Sequence, residues 1–135
     1  MGKSFLAQAL ARQAIFDGYS VRYYRVARLL EEIRIARIEA TYTKTLQKLA
    51  KFHLLILDDF GVTPLTADEL NDLFEVIEER TLTGSTLVTA QLPVKEWHAY
   101  LGNATLADAM MDRLIHGSHR IELKGESMRK RLAEG

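Results

Sequence analysis

The chain has 135 residues, of which 47% are apolar and 27% are charged, and its formal net charge is zero. These values are ordinary for one globular domain that buries an apolar core. The absence of cysteine excludes disulfides and thiolate metal sites. No apolar run approaches the roughly 20 residues of a membrane-spanning helix and no signal-peptide pattern opens the chain, so we expect a cytoplasmic protein without a membrane partner.

Helix-like and strand-like patterns alternate in the first half of the chain. Helices are predicted over 4–17, 29–40 and 45–52, and strands over 20–26 and 53–57. Gly18 follows the first helix as a stop signal. The run 53–57 is apolar almost throughout and only five residues long, which is typical of a strand buried on both faces of a parallel sheet.

The alternation continues in the second half. Thr66 is a suitable N-cap for a helix that starts at Ala67, because Asp68 and Glu69 place acids in its first turn. The later predicted elements are a strand over 86–90, helices over 93–100 and 106–115, a strand over 119–123 and a short helix from residue 128. This order indicates a single α/β domain with a parallel sheet flanked by helices.

Charge is unevenly distributed along the chain. Residues 22–51 carry eight basic and three acidic side chains, residues 58–80 have a net charge of −7, and residues 113–131 have a net charge of +4. Clustered arginine and lysine attract phosphate even on a neutral protein. The 22–51 segment is therefore the candidate for contact with DNA, and solvated helix faces of opposite sign are the alternative.

Gly2, Lys3 and Ser4 stand at the head of the first predicted helix. In a phosphate-binding loop of the pattern G-x-x-x-x-G-K-[ST], backbone N–H groups and the helix N-terminus surround the phosphates. The lysine reaches the terminal phosphates, and the hydroxyl binds Mg²⁺. The first glycine of that pattern is absent from this chain, so an ordinary helix start with Ser4 as N-cap is the alternative.

Asp58 and Asp59 follow the second predicted strand directly. A carboxylate at the carboxyl end of a buried parallel strand points into the crevice where such sheets bind ligands. Asp58 is therefore a candidate for holding Mg²⁺, and Asp59 for orienting or deprotonating an attacking water. A strand that ends in a polar turn is the alternative. One helix-strand-helix unit separates this pair from the Gly-Lys-Ser sequence, and together the two signals favour a nucleotide site.

Four motifs, in this order, resemble the IstB-like and DnaC-like ATPases of the AAA+ superfamily. They are Gly-Lys-Ser (2–4), LLILDDFG (54–61), TLVTAQLPVKEW (86–97) and DRLIHGSHRIELKGESMR (112–129). The last two are closer to the transposition helper of bacterial insertion sequences than to the replicative helicase loader. The resemblance implies a P-loop sheet of AAA+ type that lacks its central strand, the one preceding the phosphate-binding loop. We therefore expect this chain, as a fragment or a degenerate gene product, to bind ATP weakly or not at all by itself.

The resemblance also implies ATP and Mg²⁺ as cofactors and gives roles to three further residues. Gln91 falls where a polar side chain contacts the γ-phosphate or the attacking water. Arg113 matches an arginine finger that acts in trans within a homo-oligomer, and Arg129 matches an arginine that contacts the nucleotide in cis. The alternatives are a residue at a helix start for Gln91, an arginine paired with Asp108 or Asp112 for Arg113, and a solvated or DNA-facing tail for Arg129.

The implied function is ATP hydrolysis by a protein that assembles on DNA and assists a transposase. One alternative keeps this chemistry and replaces the transposase with a replicative helicase. The other is a non-catalytic module that binds DNA or full-length subunits. Arg80 is a further candidate for a contact between subunits.

Overall fold

A computed structural model of the chain describes residues 2–81 and 83–115. Its elements are helix α1 (Lys3–Phe16), strand β1 (Val21–Arg25), helices α2 (Val26–Ile38) and α3 (Tyr42–Ala50), strand β2 (Leu54–Phe60), helix α4 (Ala67–Arg80), strand β3 (Ser85–Ala90), a 3₁₀ turn (Val94–Glu96), and helices α5 (Trp97–Leu101) and α6 (Ala104–Ile115). The predicted alternation of helices and strands is confirmed over these residues. The strand predicted over 119–123 and the helix predicted from residue 128 lie outside them.

Several predicted boundaries shift in the structure. Helix α2 starts directly after β1, and α3 starts at Tyr42 rather than residue 45. Neither helix has a side-chain cap, so the sequence carries no local signal for these starts. Strand β2 runs on through both aspartates to Phe60, because its pairing with β3 continues as far as Ala90. The helix predicted from Pro93 is divided into the 3₁₀ turn and α5.

The three strands are parallel and lie in the order β1-β2-β3. Residues 54–58 of β2 pair in register with residues 21–25 of β1. The pairing with β3 shifts between Leu57 and Phe60, where Asp59 has a positive φ of 63°. Because the strands are parallel, Arg25, Asp58 and Ala90 meet at one edge of the sheet. This is the edge where the sequence predicts a site.

The two faces of the sheet pack against different helices. Tyr24, Leu55 and Leu57 belong to a continuous apolar core with side chains of α2, α3 and α4. Side chains alternate along a strand, so Ile56 and Asp58 point to the opposite face, where α1 crosses all three strands. The predicted parallel sheet flanked by helices is therefore confirmed. Among the described residues, no helix has the length and apolar character needed to cross a membrane.

Arg80, the last residue of α4, is buried, with 1% of its surface exposed. Its guanidinium donates hydrogen bonds to the carbonyl oxygens of Leu49 (2.6 Å), Phe52 (2.8 Å) and Ser85 (2.7 Å) and to the hydroxyl of Thr86 (3.1 Å). These bonds join the end of α3 and the segment before β2 to the start of β3. The expectation that Arg80 contacts a neighbouring subunit is therefore wrong, because its donors are used within the chain.

Candidate functional site

The N-terminus of α1 lies at the carboxyl edge of the sheet. Gly2 is its N-cap, is buried, and leaves the helix without a side-chain cap. The first N–H groups of the helix therefore have no hydrogen-bond acceptor within the helix, and their partial positive charge favours binding of an anion at this N-terminus. Lys3 lies in the first turn, and its amine donates to the carbonyl oxygen of Ala90, the last residue of β3. The predicted phosphate-binding lysine is thus brought to the predicted edge.

Ser4 and Asp58 are in direct contact, although 54 positions separate them. The Ser4 hydroxyl donates to both carboxylate oxygens of Asp58, at 2.9 Å to Oδ2 and 3.2 Å to Oδ1. Asp58 is buried, with 1% of its surface exposed. The two residues predicted to hold Mg²⁺ are therefore adjacent and face each other across the junction of α1 and β2.

Two further hydroxyl groups bind the same carboxylate. Tyr23 of β1 donates to Oδ2 of Asp58, and Thr89 of β3 donates to Oδ1. The sequence prediction of the site includes neither residue. Strand alternation places both on the face of Asp58, but only the pairing of the strands makes them its neighbours.

Burial and hydrogen bonding have opposite effects on the pKa of Asp58. Burial raises this pKa, but the hydrogen bonds from Thr89, Tyr23 and Ser4 outweigh burial, so the pKa lies below the ordinary value. Burial and then the bond to Asp58 raise the pKa of Tyr23 to about 12. At neutral pH the site therefore contains a carboxylate that accepts hydrogen bonds and a protonated phenol that donates one.

Asp59 is placed differently from Asp58. Its backbone is in the left-handed region, which aspartate tolerates better than most residues, and its N–H donates to the Thr89 hydroxyl at 3.2 Å. Its side chain is 40% exposed and lies 3.7 Å from the guanidinium Nε of Arg25. A carboxylate at this edge that water can reach has the access needed to orient or deprotonate an attacking water.

The other predicted site residues are not part of the Ser4–Asp58 group. Gln91 follows β3 directly and is exposed at the same edge. Arg113 lies on α6, where it forms an ion pair with Glu78 of α4 and donates to the carbonyl oxygen of Ala109 at 3.0 Å. Its acidic partner is therefore Glu78 rather than Asp108 or Asp112. Arg129 lies outside the described residues.

The oxygen atoms of Asp58 and Ser4 suit coordination of Mg²⁺. This ion prefers oxygen ligands and is usually held by one or two carboxylates together with waters and substrate phosphates. Across residues 2–81 and 83–115, no group of three or more histidines and acids forms an all-protein metal cage. The hydroxyl of Ser4 and the carboxylate of Asp58 thus suit an ion that is also bound by the phosphates of a nucleotide.

The basic segment 22–51 is partly neutralised within the chain. Three of its arginines form ion pairs, namely Arg25 with Asp59, Arg34 with Glu31, and Arg37 with Asp72. The lysines at 44, 48 and 51 are exposed and recur at helical spacing on and just after α3. These three lysines lie on one side of α3 and form no ion pair among the described residues, so they are open to a polyanion, as are the exposed Arg22 and Arg28.

Comparison with known proteins identifies relatives of this chain. The model of the family described as IstB-like ATP binding protein matches residues 1–134. The chain is 47% identical over 130 residues to the insertion-sequence ATP-binding protein y4pL of Sinorhizobium fredii, covering 96% of this chain and 53% of that protein. It is 33% identical over 129 residues to the IS21 ATP-binding protein of Pseudomonas aeruginosa, covering 96% and 49%. The chain thus spans about half the length of these curated relatives.

Solved structures show the same fold. The replication initiator DnaA, bound to AMPPCP and single-stranded DNA, matches with a TM-score of 0.72 and 20% identity over 99% of this chain and 42% of its own. AMPPCP-bound DnaA from Aquifex aeolicus matches with a TM-score of 0.66 and 19% identity over 84% and 34%. Over the described residues, the three parallel strands and their helices therefore have the AAA+ type of P-loop fold.

Proposed function

This chain belongs to the family of IstB-like ATP-binding proteins, and on that premise we propose that its protein binds and hydrolyses ATP with Mg²⁺. In this proposal the protein assembles on DNA as a homo-oligomer and assists the transposase of an insertion sequence. The relatives named above carry insertion-sequence names, which supports a transposase rather than a replicative helicase as the client.

The contact between Ser4 and Asp58 is the observation that carries the proposal. A serine at a helix start and an aspartate in a buried strand are each compatible with a purely structural role when taken alone. Here the hydroxyl donates to both oxygens of a buried carboxylate at 2.9 and 3.2 Å, beside an uncapped helix N-terminus and a lysine. This arrangement supports a cation site beside an anion site, as Mg²⁺-ATP requires.

Each site residue has a role in the proposed reaction. Lys3 and the N–H groups of α1 bind the terminal phosphates, while Ser4 and Asp58 hold Mg²⁺, which neutralises phosphate charge when bound. The exposed carboxylate of Asp59 orients the attacking water and accepts its proton.

Three residues complete the proposed site from further away. Gln91 contacts the γ-phosphate from the end of β3. Arg129 binds the nucleotide in cis, and Arg113 reaches the active site of a neighbouring subunit. Because Arg113 is bound to Glu78 within the chain, its action in trans requires release of that ion pair.

The test compares this chain with a version joined to the residues of y4pL that lie outside the matched segment. Binding of a fluorescent ATP analogue and DNA-stimulated hydrolysis are measured for both. We expect Lys3→Ala to weaken nucleotide binding about 100-fold in the version that binds, because it removes a charge-assisted hydrogen-bond donor to two phosphates. Arg12→Ala, on the exposed side of the same helix, is the matched control and should bind as the parent does.

The outcomes separate the two classes of function. Nucleotide binding that requires Lys3, with hydrolysis stimulated by DNA, supports the ATPase. If neither version binds nucleotide while the chain folds and binds DNA or a partner protein, the ATPase proposal fails and the non-catalytic module replaces it.

A further inference from the structure

We propose that Tyr23 is a positioning residue for Asp58, fixing the orientation of its carboxylate for Mg²⁺ without contacting the ion. This inference rests on the proposed function, since it assigns Asp58 to the metal. It concerns a tyrosine on a neighbouring strand, outside both the Gly-Lys-Ser sequence and the Asp58–Asp59 pair.

The carboxylate of Asp58 is held from both sides by the strands next to it. Tyr23 donates to Oδ2 from β1, and Thr89 donates to Oδ1 from β3. A carboxylate bound on each oxygen by donors from opposite sides cannot rotate about its terminal bond without breaking one of these hydrogen bonds. The two strands therefore fix the plane of the carboxylate before any ligand arrives.

Tyr23 binds the oxygen that is more closely engaged with α1. The Ser4 hydroxyl is 2.9 Å from Oδ2 and 3.2 Å from Oδ1, so the phenol and the serine meet at Oδ2. Loss of the phenol hydroxyl would leave Oδ2 with Ser4 as its side-chain donor among the described residues. Ser4 is itself assigned to Mg²⁺, so Tyr23 is the donor to Oδ2 that remains when the serine turns to the ion.

The hydroxyl of Tyr23 is separable from the packing of the fold. Tyr23 is half-buried on the face of the sheet that α1 covers, whereas its neighbour Tyr24 points into the main apolar core. Tyr24 also donates a hydrogen bond to a carboxylate, that of Glu32, on the face of the sheet opposite Asp58. Tyr24→Phe is therefore a matched control, because it removes the same group and the same type of bond outside the site.

The experiment uses the version of the chain joined to the additional y4pL residues and measures binding of a fluorescent ATP analogue. Parent, Tyr23→Phe and Tyr24→Phe proteins are titrated with MgCl₂ at fixed nucleotide, and nucleotide affinity is measured separately in EDTA. For Tyr23→Phe we expect the Mg²⁺ concentration at half-saturation to rise roughly tenfold, the factor that corresponds to one hydrogen bond to a charged group. Affinity in EDTA should stay unchanged, and Tyr24→Phe should match the parent in both measurements.

Each other outcome overturns a defined part of the argument. If Tyr23→Phe requires no more Mg²⁺ than Tyr24→Phe, Tyr23 does not position Asp58, and the proposed ATPase is unaffected. If Tyr23→Phe also loses affinity in EDTA or has a lower Tm than Tyr24→Phe, the hydroxyl is structural and the inference fails. If the parent itself binds no nucleotide, the proposed function fails and the role of Tyr23 fails with it.

Discussion

Replacing Arg80 with methionine tests how the end of α4 is joined to the sheet. The change removes a buried guanidinium that donates to three carbonyl oxygens and one hydroxyl. An acceptor left buried without a donor costs about 1–3 kcal/mol, and relief of the cost of burying a charged guanidinium offsets part of the sum over its acceptors. Arg80 and Ser85 line a cleft of about 620 Å³, so water can reach the Ser85 carbonyl and the loss should fall near ~3 kcal/mol.

A loss of this size should be easy to measure. For a domain of this length it corresponds to a fall in Tm of about 10 °C. Urea unfolding, followed by far-UV circular dichroism and by the fluorescence of Trp97, the single tryptophan, gives the free energy of unfolding. Arg80→Lys should restore only part of the stability, because a compact ammonium cannot reach acceptors that a planar guanidinium spans.

The control for this experiment is Arg34→Met on α2. Arg34 is exposed and pairs with Glu31 one helical turn away, so its replacement should leave stability nearly unchanged. If Arg80→Met is as stable as Arg34→Met, the hydrogen bonds of Arg80 to the carbonyl oxygens make no net contribution to the free energy of unfolding, and the role given to Arg80 is wrong.

Two further predictions concern the cap of α4 and the exposed lysines near α3. Thr66→Ala should lower the free energy of unfolding by about 1 kcal/mol, because it removes the capping box with Glu69. Thr66→Ser should retain most of that stability, because serine keeps the capping hydroxyl. Equal stability of the two variants in urea would contradict this prediction. The exposed lysines to be replaced together with glutamine are Lys44, Lys48 and Lys51. The triple variant should bind a duplex oligonucleotide more weakly, and the slope of log affinity against log salt concentration should become shallower by about 0.9 for each phosphate that is no longer neutralised. Fluorescence anisotropy at several salt concentrations measures the affinity and its salt dependence, with Lys95→Gln near α5 as the control. If the triple variant binds no more weakly than this control, α3 does not contact DNA.

The helices, the strands and both residues of the proposed Mg²⁺ site, Ser4 and Asp58, follow from local sequence. The α4 cap is predictable at Thr66 because a capping box is formed by residues three positions apart. The buried strand before Asp58 is recognisable because a short apolar run that ends in acids is typical of a central parallel strand. Local signals fail where local chemistry is absent, as at the uncapped starts of α2 and α3.

The surroundings of Asp58 were decided by the tertiary structure. Tyr23 lies 35 positions before it and Thr89 lies 31 positions after it. Alternation along each strand shows which residues share a face, but only the register of the parallel sheet shows which of them meet. The cis pairing of Arg113 with Glu78 has the same origin, since α4 and α6 are distant in sequence and adjacent in space. The sequence by itself therefore determined which residue types form the proposed site. Strand pairing decided which side chains donate hydrogen bonds to Asp58, because such bonds depend on distances that no spacing along the chain encodes.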